Sequence, residues 1–219
     1  MPLEAYHNHH QWHSLATPGI TAQQGVFTFY GTSEIDATPE EVWKIISHFS
    51  TYSSWNDYTP SITHEDGSDL TAAPEQGSSY TLHYRLDTKD KAKAMPMKLV
   101  SYSPTEHVLC WQGLFMPTFL LHAEKVQKVT PIQGENGKMK AKYEIWETQA
   151  GPMAHIVKFT MFSKLQRMNE GIAKNLKQHM EFQQQLWGQK PNFSALHKYA
   201  PFVEQDASKR KQWDDGRFP

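Results

Sequence analysis

The chain has 219 residues, 38% of them hydrophobic, with 22 Lys and Arg against 23 Asp and Glu and one cysteine, Cys110. That composition supplies one sizeable core, while a net charge of -1 gives no electrostatic footprint for nucleic acid. One thiol cannot form an internal disulfide, and no apolar run nears the ~20 residues of a membrane helix, so the expectation is a cytoplasmic protein without stable membrane insertion.

Residues 1–25 are polar and read as an arm. Their stretch "HNHHQWH" has no cysteine or inward carboxylate placed with it, so no metal site is expected, and the opening residues do not resemble a signal peptide. From Val26 to Asp36 the sequence alternates as a strand does. Thr38, Pro39 and Glu41 then form a capping box with proline at the first helical position. Val42, Ile45, Ile46 and Phe49 follow the spacing of one apolar helical face. Ser50 to Ser54 breaks that pattern and ends on Trp55 and Asn56.

Tyr58–Thr63 is a short strand, and His64–Ser78 has loop composition. Alternating segments follow at 79–87, 95–102, 107–115, 119–130 and 138–149, separated by turn chemistry, which predicts an antiparallel meander. After Gly151-Pro152 the period changes to about 3.6 residues. Leu165, Met168, Ile172, Leu176, His179 and Leu186 form one stripe, predicting a long helix to about Trp187. Residues 188–219 read as an extension.

Alternation turns Tyr80, Leu82, Tyr84 and Leu86 inward together with Met95, Met97 and Leu99, and turns His83 and Arg85 outward. In the opposite register Arg85 would hold an anion or enolate. A two-residue Asn136-Gly137 turn would pair Glu135 with Lys138. His122, Glu124, Val126, Tyr143, Ile145 and Glu147 then share the inward face, and Lys125, Gln127, Lys140, Lys142 and Glu144 the solvated one. Two carboxylates brought together in low dielectric would hold a proton between them, so Glu147, Glu124 and His122 are the candidate catalytic residues. Asn169, polar on the apolar stripe beside Ile172, needs a partner on a strand or on a ligand. Cys110 lies on the face opposite Trp111, either in the core or over the outer sheet, and no signature marks it as a nucleophile.

The stretch "DATPEEVWKIISHFSTYSSWN" resembles the opening motif of the START-like, helix-grip superfamily, in its polyketide cyclase/dehydrase and lipid-transport group (SRPBCC). Asp57 stands where that motif usually has proline. "LCWQG" around Trp111, "LLHAEKVQKVTP" with His122, and "YEIWETQAGPM" leading into the final helix are similar in order and spacing across residues 26–187. The resemblance implies an α+β fold: a curved antiparallel sheet of six to seven strands round a long C-terminal helix, with two short helices after the first strand. It also implies a hydrophobic cavity with Trp55 and Asn56 at its closed end or rim. The expected ligand-binding set is Trp55, Asn56, Tyr80, Tyr84, Arg85, Met97, Trp111, Tyr143, Asn169 and Ile172.

The function implied is cofactor-independent ring closure of a flexible polyketide by general acid/base catalysis. The alternative is a carrier of a lipid or another hydrophobic metabolite, since fold alone separates neither. Arms bearing Trp12 and Trp213 would lid the cavity or join a homodimer.

Overall fold

The structure is a computed structural model that describes residues 14–70, 73–134 and 137–188. The His-rich stretch, Trp12 and Trp213 lie outside the described residues. The chain divides into two compact units, Met1–Glu181, which holds the sheet, and Phe182–Pro219, of which the end of the last helix is described.

The chain opens with β1 (Gly25–Ile35), α1 (Pro39–Ser47) and a 3-10 helix (Phe49–Ser54). β2 (Ser61–His64), β3 (Ser79–Tyr84), β4 (Lys93–Ser103), β5 (Val108–Gly113), β6 (His122–Gln133) and β7 (Met139–Ala150) follow, before α2 (Pro152–Gly188). All seven strands form one antiparallel sheet in the order β1-β7-β6-β5-β4-β3-β2. This is the helix-grip architecture that the sequence implied.

Local chemistry explains the boundaries. Thr38 N–H donates to Glu41 Oε2 at 2.8 Å, and Glu41 N–H donates to Thr38 Oγ1 at 3.3 Å, which closes the capping box of α1. Val42, Trp43 and Ile46 are buried on its inner face. Gly151 has φ of 91°, a conformation glycine adopts without strain, and Pro152 starts α2 immediately afterwards.

α2 lies against β1 closely enough that a Cβ on Gly31 would come within 2.3 Å of the Asn169 carbonyl oxygen. Asn169 Nδ2 donates to Phe29 C=O at 3.2 Å, and Gln166 brackets both the N–H and the C=O of Tyr30. The polar residue on the stripe therefore clamps helix to strand. Leu165, Met168, Ile172 and Leu176 are buried as the stripe predicts, but Leu186 is exposed and Met180 is buried instead. The positions of that stripe repeat every 3.5 residues on average, whereas a straight α-helix turns every 3.6, so the stripe drifts by about 20° per heptad and has left its starting face by Leu186.

The β6–β7 register departs from expectation. His122 pairs with Ala150 and Gln133 with Met139, so residues of like parity share a face. Gly134 N–H donates to Lys138 C=O at 2.8 Å, and Gly137 has φ of 71°. A three-residue connection with glycine in the left-handed region closes this hairpin, where the sequence reading assumed two residues. One extra residue exchanges the faces of β6.

Candidate functional site

The concave side of the sheet and α2 enclose a cavity of about 280 Å³. Leu82, Tyr84, Met95 and Met97 supply one wall, and Val157, Met161, Leu165 and Met168 of α2 supply the other. Phe115 lines it and is also 43% exposed, which marks the opening. Thr59, Lys125, Glu147 and Gln149 bring polar side chains to an otherwise apolar wall.

Three of these are linked. Lys125 and Glu147 are paired on adjacent strands, and Lys125 Nζ lies 3.3 Å from Glu147 Oε2. Gln149 Nε2 donates to Glu147 Oε1 at 2.7 Å. Lys125 is 8% exposed and Glu147 9%, so both charges are largely removed from water. At such a site each charge needs the other, because losing one leaves the other uncompensated. The carboxylate can accept a proton, and the ammonium can face developing negative charge on a ligand oxygen. Gln149 Oε1 has no hydrogen-bond partner among the described residues.

Glu124 and His122 do not join this group. The one-residue change in register places them on the convex face, beneath residues 14–24. Glu124 Oε2 accepts from Gly19 N–H at 2.8 Å, and its Oε1 lies 3.0 Å from His122 Nε2. Cys110 Sγ approaches the same carboxylate at 3.9 Å. Burial, with the charge of Glu124 second, pushes the Cys110 thiol far above the usual thiol range. Leu15 N–H donates to Thr28 Oγ1, and Thr148 Oγ1 donates to Leu15 C=O, so this segment is fastened along its length.

Of the expected ligand-binding residues, Tyr84 and Met97 line the cavity. The other eight sit behind it or apart from it. Trp55 is buried against Tyr52, with ring centroids 4.7 Å apart, and works as a plug. Asn56 Oδ1 accepts from the N–H groups of Tyr58 and Thr59, a local turn that sets Thr59 against the cavity. Asp57 accepts from Asn175 at 3.0 Å, which ties this corner to α2.

Tyr80 and Trp111 pack on Phe49, and Ile172 is core. Tyr143 donates to Gln127 Oε1 at 2.7 Å, and Gln127 donates to Tyr52 at 3.3 Å. Burial raises the pKa of both phenols. Arg85 N–H donates to Tyr58 C=O, and its Nε has no hydrogen-bond partner among the described residues. Lys125, Gln149 and Thr59 are cavity residues that the sequence reading missed. Parity on β7 was the available signal, since Gln149 alternates in step with Tyr143, Ile145 and Glu147. Among the described residues no group of three His, Cys, Asp or Glu side chains could hold a metal, and no helix is long and apolar enough to cross a membrane.

Residues 26–181 match the family model described as polyketide cyclase/dehydrase and lipid transport. A curated relative, the oxopyrrolidines biosynthesis cluster protein O of Penicillium oxalicum, is 25% identical over 167 residues, spanning 67% of this chain and 83% of that protein. Two solved structures share the fold. The ginseng major latex-like protein 151 of Panax ginseng has a TM-score of 0.53 at 10% identity, covering 70% of this chain and 96% of its own. The Zhui aromatase/cyclase of Streptomyces sp. R1128 has a TM-score of 0.50 at 11% identity, covering 70% and 93%.

Proposed function

The chain belongs to the polyketide cyclase/dehydrase and lipid transport family, and within it we propose a cofactor-independent cyclase or dehydratase acting in the cytoplasm on a flexible, carbonyl-rich chain. The observation that carries this reading is the buried Lys125–Glu147 pair in the wall of an apolar cavity. The relative named for a biosynthesis cluster supports it.

A substrate carbonyl oxygen accepts a hydrogen bond from Lys125, and Glu147 removes a proton from the adjacent carbon. The ammonium stabilises the enolate as its charge develops. The cavity holds the enolate carbon near a second carbonyl, converting an encounter between distant groups into an intramolecular attack. The new carbon–carbon bond leaves an alkoxide, which takes the proton back from Glu147. Loss of that hydroxyl as water completes a dehydration, with the same carboxylate removing the second proton and returning it to the leaving oxygen. Attack by an enol oxygen on a terminal thioester or ester carbonyl, whose thiolate or alkoxide leaves with the proton held by Glu147, gives a lactone instead.

The second reading, a carrier of a hydrophobic metabolite, rests on the apolar residues of the remaining wall. One assay separates the two. Purified protein is offered linear poly-β-keto analogues, with binding followed by tryptophan fluorescence and ring formation by absorbance and mass, for wild type and Glu147→Gln. Accelerated cyclisation that disappears in the variant while binding persists establishes the enzyme. Binding without acceleration in either form overturns it in favour of the carrier.

A further inference from the structure

The cavity opening carries a feature that ring closure does not use. Leu114, Phe115, Met116, Phe119 and Leu120, all in the β5–β6 connection, are exposed, as are Ile156 and Phe159 on the first turns of α2. The two segments adjoin, because Met153 N–H donates to Leu120 C=O at 3.0 Å and because Phe115 and Val157 line the same cavity. Exposed apolar residues scattered singly are ordinary, whereas seven on two joined segments round one opening mark an interaction surface.

Charge says what kind of surface meets it. Residues 152–164 carry His155, Lys158 and Lys164 and no carboxylate. The β3–β4 connection, whose Leu86 lines the cavity, carries Arg85, Lys89 and Lys91 against Asp87 and Asp90, and Lys93 follows as the first residue of β4. This rim is basic although the whole chain has a net charge of -1. Phe119 is 75% exposed and Phe159 93%. Side chains that project this far fit a fluid surface, which they penetrate without a shaped pocket to receive them. Aromatic and aliphatic tips ringed by lysine are the combination that binds an anionic lipid interface.

We propose that the rim formed by Leu114–Leu120, the start of α2 and the β3–β4 connection docks the protein reversibly on an anionic lipid surface. Docking turns the cavity opening toward the layer in which a hydrophobic ligand partitions. The attachment is peripheral, with the side-chain tips as its only inserted part.

The test is sedimentation of the full chain with vesicles of phosphatidylcholine alone or with about one-third phosphatidylserine, at low and high salt. The expected result is binding to the anionic vesicles that salt weakens. Phe119→Glu/Phe159→Glu reduces it at least about tenfold, and Lys89→Gln, Lys91→Gln and Lys158→Gln reduce it by about fivefold each. Both Phe positions are exposed, so thermal unfolding stays unchanged and loss of binding is not loss of fold. No binding to anionic vesicles, or binding that the double variant leaves intact, overturns the proposal. So does a double variant that abolishes a wild-type dimer seen by light scattering while vesicle binding is absent, since the rim is then a self-interface.

Discussion

The two faces of the β6–β7 pair each bury a carboxylate, and the two sites differ in everything else. On the concave face Glu147 meets Lys125 and Gln149 at a cavity that opens outward. On the convex face Glu124, 3% exposed, meets Gly19, His122 and Cys110 under a covering segment. Burial alone therefore does not distinguish the two carboxylates; their partners and the space in front of them do, and substitution on each face in turn tests whether that difference is one of function.

The largest expected effect is on the concave face. Glu147→Gln lowers the cyclisation rate by about 10²–10⁴-fold, the contribution of a positioned general base, whereas Glu124→Gln leaves it within about twofold. Single-turnover product formation on a poly-β-keto analogue checks both, and equal losses would erase the distinction between the faces. Next is Lys125→Met, which leaves Glu147 without its counter-charge and destabilises the fold by about 2–3 kcal/mol, somewhat less than a fully buried pair because the cavity admits solvent. Adding Glu147→Gln recovers most of that loss without restoring activity, a non-additivity that denaturant unfolding of all four proteins measures.

On the convex face, Glu124→Gln costs about 1–2 kcal/mol of stability, since a carboxamide cannot accept from both Gly19 and its histidine neighbour as the carboxylate does. The shift in thermal midpoint reads this. The smallest effect concerns Cys110. Its thiol is held protonated by burial, so raising the pH through the ordinary thiol range near 8.5 does not produce thiolate in the folded protein. Alkylation at pH 8 to 9, followed by mass, runs at least about tenfold slower native than unfolded. A native rate equal to the unfolded one would show that the covering segment does not seal this face.

Much of the fold was written in local chemistry. The capping box at Thr38, the alternating strands and the Gly151-Pro152 break each act within a few residues, and each reads directly from sequence. The site was half legible for a different reason. Glu147 was placed by the apolar neighbours on its own strand, Tyr143 and Ile145, which need no knowledge of the turn. Glu124 and His122 were placed by carrying that face across the hairpin, and a single added residue there inverted them. Lys125 was set on the solvated face by the same inversion, and that is where lysine is ordinarily found. Only a carboxylate from another strand makes its burial tolerable, and that pairing is invisible along one strand. Trp55 and Asn56 drew attention as a motif, yet their chemistry is a buried plug and a turn.

The docked segment at residues 14–24 also bears on where this protein can be cut. The family match starts at residue 26, and an expression boundary drawn there would pass every test of sequence similarity. It would also strip Ile20 from its burial site, remove the Gly19 donor from a carboxylate that has left water, and take the Leu15 carbonyl from Thr148 on the outer sheet. The contacts of residues 14–24 thus reach beyond the homologous stretch, and the expected outcome is that a fragment beginning at Val26 is poorly soluble where one beginning before Ser14 is not.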